Sequence, residues 1–181
     1  MSFSVGEKVV YPNHGVGIIV EISTQEIDGC SSRFYHLRLS STNSVVMIPI
    51  SNALQVGLRP PIDREDCERL LQRLSENFSS PPSDWKDRFK DFSDKMRTGD
   101  VFCVADILKT LTYLSQLKPL SFREKRMLER ARFLVVSELV TSSSYSEEEI
   151  NQRVDQALQE ACHKHRQQLA AKKIARAASA S

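Results

Sequence analysis

A change of residue pattern near residue 58 constrains this chain more than any other feature. Five of the six glycines and the clearest β-branched runs lie in residues 1–57. From residue 62 onward, apolar residues recur at helical spacing. Between the two patterns lies "LRPPI" (58–62), whose prolines fix φ and disfavour helix in the residue before each of them. The sequence therefore predicts a segregated α+β chain, with a β module followed by an all-α module.

The β module is predicted from four short runs rich in β-branched and aromatic residues. They are "EKVVYP" (7–12), "VGIIVEIST" (16–24), "RFYHLRL" (33–39) and "SVVMIPI" (44–50). Turn-forming segments such as "NHG" and "SSTN" separate these runs. Four short strands joined by tight turns indicate a small antiparallel sheet that curls into a barrel-like form to bury one face.

Helix-start signals predict about five helices in the second half of the chain. The expected N-caps are Asp63, then Ser83 or Asp84, then Asp100, followed by two capping boxes, Ser121 with Glu124 and Ser146 with Glu149. We expect three regions: a β module at 1–58, a helical domain at 59–160, and a basic, alanine-rich extension at 161–181. The extension is expected to be partly disordered at its end.

Composition and spacing exclude several classes of protein. No apolar run is long enough to span a bilayer, and the N-terminus lacks a secretory signal pattern. We therefore expect a cytoplasmic protein that does not associate with a membrane. The four cysteines form no CxxC pair, which argues against a metal site and a disulfide. No nucleophile set or phosphate loop is present. We therefore expect no enzyme activity, no metal and no cofactor.

The charge is small but uneven. The net charge is +2, which by itself does not indicate a nucleic-acid-binding protein. Basic residues nevertheless cluster in two places. "FREKRMLERAR" (122–132) has five basic and two acidic residues, and "HKHRQQLAAKKIAR" (163–176) has five basic residues and no acidic one. These clusters are the candidate electrostatic contacts of the chain.

The single tryptophan, Trp85, leaves two interpretations open. Trp85, Phe89, Phe92 and Met96 share one helical face, and by pattern alone burial of all four is favoured at about two chances in three. Against this, Trp85 lies in the first helical turn, after a proline pair, where a ring can project past the helical stack. Lys86, Arg88 and Lys90 suit phosphates, but interleaved acids fit a solvated helix face equally well.

Longer motifs resemble the CarD/CdnL family of bacterial transcription regulators. The resemblance begins with "FSVGEKVVYPNHGVG" (3–17) and continues through "VMIPISNALQVGLR" (46–59). In the helical part it includes "WKDRFK" (85–90), "TGDVFCVADIL" (98–108) and "LSFREKRMLERAR" (120–132). Order and spacing hold over residues 1–160, whereas the extension at 161–181 is longer than is usual for the family.

The resemblance implies that the helical domain meets promoter DNA at the upstream edge of the melted region. Trp85 matches the tryptophan that wedges into the minor groove. Basic positions implied to face DNA are Lys86, Arg88, Lys90, Lys125 and Arg126. Asp87 departs from the family pattern, which often has a basic residue there, so weaker DNA binding is expected.

For the β module, the resemblance implies a Tudor-like domain that binds the β subunit of bacterial RNA polymerase. The polymerase-facing positions map to Gln25, Ile27, Met47 and Pro49. Some relatives carry arginines where this chain has Gln25 and Met47, so a more apolar contact is expected. Strand alternation places 25 with 27 on one face, and 47 with 49.

The sequence thus leads to a function hypothesis with two rivals of other classes. The hypothesis is a monomeric, nucleoid-associated regulator that binds polymerase and promoter DNA and stabilises the open complex. The first rival is a Tudor-like adaptor whose helical domain docks another protein, with Trp85 as the anchor. The second is an enzyme, which only a cleft of paired ionisable groups would support, and the acidic stretch "DREDCE" (63–68) fits a helix start better. Steep salt dependence of binding would favour DNA over the adaptor.

Overall fold

The computed structural model describes residues 2–27 and 29–179, and these residues form four strands and five α-helices. The strands are β1 (Lys8–Tyr11), β2 (Gly15–Ile27), β3 (Cys30–Leu39) and β4 (Val45–Pro49), followed by a 3-10 turn at Ile50–Asn52. The helices are α1 (Arg64–Ser75), α2 (Trp85–Arg97), α3 (Val101–Leu117), α4 (Phe122–Ser142) and α5 (Glu147–Ser179). The predicted segregated α+β class is confirmed. Within the described residues, no helix is both long and apolar enough to cross a membrane.

The sheet is an antiparallel meander in the order β1-β2-β3-β4, curled into a half-barrel. Its two edges stay apart, so the expected barrel-like form is open rather than closed. One face carries the core, which includes Val9, Ile19, Tyr35, Leu37 and Ile48. A register shift between Ile19 and Glu21 interrupts the β2–β3 pairing and marks a bulge, a feature that bends a strand.

The helical module packs around a second core, formed by all five helices. Local signals start the helices as predicted: Asp63, Asp84 and Asp100 each accept a backbone hydrogen bond at the N-cap. The two predicted capping boxes are present as well. Between the caps, burial of one face of each helix, rather than helix propensity alone, stabilises the bundle.

A buried ion pair joins the two modules. The guanidinium of Arg59 donates to both carboxylate oxygens of Glu138 on α4, at 2.5 and 2.9 Å. The same group donates to the carbonyl of Gly99 at 2.7 and 3.1 Å, and Arg59 also pairs with Val10 in an isolated β-bridge. Because Arg59 touches β1, the α2–α3 turn and α4 at once, it fixes the sheet relative to the helices.

The Pro12 ring supports the same junction. A Cβ atom added to Gly57 or to Gly99 would come within 2.8 Å of Pro12 Cγ. Both glycines also have positive φ, 78° and 75°, so a side chain at either position would be strained and crowded. Gly99 is therefore explained by contact between the modules, and Gly57 by contact with Pro12 within the β module.

The C-terminal extension is helical through residue 179, and the disorder expected at its end stays a prediction. Residues 161–179 continue α5 as a helix, and residues 180 and 181 lie outside the described part of the chain. The reason is packing: Ala161, Cys162 and His165 are buried, so the helical core reaches beyond residue 160. Alanine, the best helix former, then favours continuation of the helix.

Candidate functional site

Trp85 is the first residue of α2, and its side chain is displayed. Asp84 caps the helix by accepting a hydrogen bond from the Lys86 backbone amide at 2.7 Å. Along the face that contains Trp85, burial rises with distance from the cap: Trp85 is 48% exposed, whereas Phe92 and Met96 are 6% and 4% exposed. Phe89, between them, is half-buried. The aromatic face predicted from the sequence is therefore core at one end and surface at the other.

One cation lies near the displayed ring, and others are exposed further along α2 and at the start of α4. The Lys86 ammonium lies 6.0 Å from the Trp85 ring centroid, and Lys90 is exposed one turn further along α2. Exposed Lys125 and Arg126 occupy the start of α4. Asp84 and Asp87 are exposed at the start of α2, so acids interrupt this basic surface.

Arg88 corrects the sequence interpretation, which had it facing phosphates. Its side chain is only 3% exposed, and its guanidinium donates to Glu124 Oε1 at 2.6 Å and to the Pro82 carbonyl at 2.7 Å. A buried arginine whose donors are occupied by protein acceptors is not available to DNA. Arg88 instead holds the starts of α2 and α4 side by side and anchors the linker that precedes Trp85.

Glu124 serves two structures at once. It completes the capping box of α4, accepting from the Ser121 backbone amide at 3.0 Å and from the Ser121 hydroxyl at 2.8 Å. Burial alone would raise its pKa, but the hydrogen bonds from Arg88 and Ser121 outweigh burial and lower the pKa of Glu124 to about 2. The carboxylate is therefore charged at neutral pH and available to pair with Arg88.

Phe122 belongs to this surface and was missed by the sequence reasoning. It is the first residue of α4 and is 73% exposed, with the Arg126 guanidinium 5.6 Å from its ring centroid. A second cation contact joins the helices, because the Arg123 guanidinium lies 5.8 Å from the Phe89 ring. The available signal was position: Phe122 directly follows its N-cap residue, as Trp85 does.

We call the group formed by Trp85, Lys86, Lys90, Phe122, Lys125 and Arg126 the aromatic-basic surface. Exposed rings can stack on bases or enter between them, and the surrounding cations can pair with phosphates. Both helix N-termini carry partial positive charge, which favours anions there as well. Among residues 2–27 and 29–179, no cluster of histidine, cysteine and acidic side chains could hold a metal ion.

The positions proposed for polymerase lie on the outer face of the sheet. Met47 is opposite His36, and Pro49 is opposite Phe34, on the β3–β4 ladder. On the β2–β3 ladder, Gln25 is opposite Ser32. Because β3 residues 32, 34 and 36 share one face, Gln25, Met47 and Pro49 lie on that same face.

Exposure differs along this outer face. Met47 is 42% exposed, Gln25 is exposed and Pro49 is half-buried. Ile27 is the last residue of β2 and is opposite Cys30, which places it on the same face. Its side chain lies outside the described part of the chain. An exposed methionine on a sheet face offers an adaptable apolar contact to a partner.

Comparison with known proteins matches both modules. Residues 3–62 match the family model described as "CarD-like/TRCF RID domain", and residues 69–155 match "CarD, C-terminal domain". The chain is 32% identical over 148 residues to the Bacillus subtilis (strain 168) protein named "Putative transcription factor YdeB". That alignment covers 82% of this chain and 97% of the relative.

The β module is also similar to a solved structure, the solution structure of the 72-residue N-terminal domain of Myxococcus xanthus CarD, at 36% identity. The match covers 33% of this chain and 79% of that chain, with a TM-score of 0.29. The two family models and the Bacillus relative carry the classification.

Proposed function

This chain belongs to the CarD family of transcription regulators, and on that premise we propose that it bridges RNA polymerase and promoter DNA and stabilises the open complex. The β module would bind the polymerase β subunit, and the aromatic-basic surface would meet DNA at the edge of the melted region. The observation that carries the proposal is the display of Trp85, 48% exposed among cations at the start of α2.

Trp85 acts in this proposal as a wedge. Opening a promoter requires bases to unstack, at a cost of a few kcal/mol per step. A ring that inserts at the edge of the opened region offsets part of that cost. Because its site exists mainly in distorted DNA, the ring favours the open state over the closed state.

The cations in this proposal position the duplex rather than read its sequence. Lys86, Lys90, Lys125 and Arg126 would contact phosphates, which carry little sequence information. With a net charge of only +2 and Asp87 inside the surface, the isolated chain should bind DNA weakly and without sequence preference. Binding to polymerase would then supply the local concentration that DNA binding alone lacks.

The outer sheet face would provide the polymerase contact, through Gln25, Ile27, Met47 and Pro49. These four side chains are uncharged, which favours a contact based on apolar burial and strand alignment rather than on ion pairs. The Arg59–Glu138 pair supports the bridge, because it holds the sheet at a fixed position relative to α4. We propose that the protein acts as a monomer, without enzymatic activity, in the cytoplasm and at the nucleoid.

The proposal is tested by the lifetime of open complexes formed with and without the Trp85→Ala variant. Loss of a stacked ring is expected to cost on the order of 1–3 kcal/mol in the open state. That corresponds to roughly a fivefold to hundredfold shorter lifetime, because each 1.4 kcal/mol is tenfold. Thermal melts should show little change, since half of the side chain is already in solvent.

Met47→Glu is the matched variant for the other surface. It places a charge on the exposed outer face, so it should weaken binding to the polymerase β subunit while leaving the fold intact. Trp85→Ala should retain polymerase binding. Equal open-complex lifetimes for wild type and Trp85→Ala would contradict the wedge, and wild-type polymerase binding by a folded Met47→Glu variant would contradict the assigned face.

A further inference from the structure

The second half of α5 lies outside the residues matched by the C-terminal family model, yet it is firmly attached to the helical module. Asn77, in the linker between α1 and α2, contacts α5 twice: its Nδ2 donates to Gln168 Oε1 at 2.7 Å, and its Oδ1 lies 3.1 Å from His165 Nδ1. Lys164 Nζ donates to the Ser75 carbonyl at 2.9 Å. These bonds hold α5 against the linker that leads to Trp85.

Aromatic packing strengthens this attachment. The His165 ring is stacked on Phe78 with a centroid distance of 4.2 Å and an interplanar angle of 10°. Tyr113 on α3 meets the same histidine ring edge to face at 4.7 Å. His165 is 1% exposed, so the attachment is part of the core. The direction in which α5 leaves the bundle is therefore fixed by packed side chains.

Beyond this attachment, the inner face of α5 changes from apolar to basic. Val154, Leu158, Ala161 and His165 recur at helical spacing and are buried. Beyond Gln168, the same face continues with Lys172 and Arg176, seven and eleven residues after His165. Residues 171–178 are exposed, and the segment 171–179 extends about 13 Å at 1.5 Å per residue. We call residues 171–179 the basic overhang.

Through Lys172, the basic overhang shares a groove with the linker that leads to Trp85. The groove has a volume of about 710 Å³, and its walls include Pro81 and Pro82 on one side and Gln168 and Lys172 on another. Burial lowers the pKa of His165, and the positive charge of Lys172 lowers it further, as expected for a lysine near the attachment. Trp85 follows Pro82 by three residues, so the overhang and the tryptophan lie along the same linker.

Charge indicates what the basic overhang binds. The overhang carries two lysines, one arginine and no acid, unlike α2, where acids alternate with bases. Within the described part of the chain, Lys172 and Lys173 have no ion-pair partner. The other two cations of the groove are paired, Arg73 with Asp106 at 2.8 Å and Lys95 with Asp91 at 2.7 Å. Lys172 and Lys173, which no acid neutralises, lie along the linker that leads to the displayed tryptophan and complement a phosphate backbone.

We propose that the basic overhang is a second DNA contact, which binds duplex phosphates next to the site where Trp85 meets DNA. This inference rests on the proposed function, because it takes the DNA at Trp85 as given. A duplex that passes Trp85 continues across neighbouring protein surface with one phosphate charge per about 1.7 Å of axis, so further phosphates face the overhang. A lipid surface fits poorly, because Ile174 is the only large apolar residue in the overhang, too little for a membrane-binding apolar face.

The experiment measures binding of the full chain to a fluorescent duplex over a range of salt concentrations. Lys172→Gln/Lys173→Gln removes two charges, and Lys172→Arg/Lys173→Arg retains them with similar helix propensity. The slope of log affinity against log salt should fall by about 2 in the glutamine variant, since each phosphate contact contributes about 0.9. The arginine variant should keep the wild-type slope.

Three results would overturn this inference. One is a wild-type slope in the glutamine variant, and another is an equal loss in the arginine variant. The third is a glutamine variant that binds DNA as wild type does but has lost binding to polymerase, since the partner would then be protein. None of these results bears on the effect of Trp85→Ala on open complexes, so failure of the overhang and failure of the proposed function are separable.

Discussion

The first turns of α2 and α4 have the same plan. Each begins with an aromatic residue directly after the N-cap, Trp85 after Asp84 and Phe122 after Ser121. In both, a basic residue follows the ring in sequence. They differ in exposure, since 48% of Trp85 but 73% of Phe122 is in solvent. Trp85 is therefore the ring with more protein behind it, which suits a side chain that must resist displacement by bases.

The two turns also differ in how they are held. The α4 turn is closed locally, by the reciprocal hydrogen bonds of Ser121 and Glu124. The α2 turn depends on Arg88, which reaches Glu124 on α4 and the Pro82 carbonyl in the linker. The α4 turn is thus fixed by two residues that are three apart in sequence, whereas the α2 turn is fixed by a contact between two residues that are 36 apart. A change that removes the distant contact should disturb Trp85 and leave Phe122 in place.

The largest expected effect follows from breaking that contact with Arg88→Met. Removal of one partner from a buried ion pair leaves an unpaired charge and costs about 3–5 kcal/mol. Because Glu124 keeps its bonds to Ser121, we expect a loss near the lower limit, about 3 kcal/mol. Urea unfolding, compared at equal m-values, measures the change in the free energy of unfolding.

The matched control is the double variant Arg88→Met/Glu124→Gln. Glutamine can still complete a capping box, and it leaves no buried charge without a partner. The double variant should therefore recover at least about 1 kcal/mol relative to Arg88→Met alone. A single variant as stable as wild type would show that the Arg88–Glu124 pair does not link the two turns in solution.

The next effect is on the pH dependence of stability. The folded pKa of Glu124, about 2, lies below its unfolded value, so its contribution is fully present above the unfolded pKa and is lost as pH falls through the folded pKa. Between about pH 5 and pH 2, wild type should lose up to about 3 kcal/mol that Glu124→Gln does not lose. Thermal or urea unfolding at several pH values measures this difference. Parallel pH profiles for the two proteins would contradict the assignment.

The sequence predicts the local capping contacts of the two turns better than it predicts the long-range Arg88–Glu124 contact. Asp84 as N-cap and Ser121 with Glu124 as a capping box were predictable, because each signal spans three or four residues. The burial of Arg88 was not predictable, because its partner is 36 residues away and the neighbouring lysines made it resemble a surface residue. Trp85 stayed ambiguous from its pattern alone, because a helical face can begin outside the core and enter it two turns later.

The sheet and the C-terminus show the same limit. Alternation correctly predicted that positions 47 and 49 share a face, but the alignment of Gln25 with that face depends on a register that the bulge near Ile19 changes. At the C-terminus, the sequence predicts an extension at 161–181 that is partly disordered at its end, and it does not indicate that the start of this extension packs on the bundle. The contacts of His165 with Phe78 and Tyr113, which keep α5 on the bundle, join distant segments and leave no local sequence signal.

The smallest expected effect is that of Phe122→Ala, and it tests whether the two rings are equivalent. With 73% of the side chain exposed, its removal should change the free energy of unfolding by no more than about 0.5 kcal/mol. Phe122 is the smaller ring and has less protein behind it, so we expect it to line the DNA rather than to wedge. Its loss should shorten the open-complex lifetime less than fivefold, roughly 1 kcal/mol or below, which is less than for Trp85→Ala.

The measurement is the lifetime of open complexes on one promoter for Trp85→Ala, Phe122→Ala and the double variant. If Trp85 wedges and Phe122 only contacts, the two losses should add within about 0.5 kcal/mol, because distinct sites on the DNA act independently. A Phe122→Ala loss as large as that of Trp85→Ala would mean that the more exposed ring is also a wedge. The greater burial of Trp85 would then not explain a difference in role between the two rings, and the explanation would have to come from the charges around each ring.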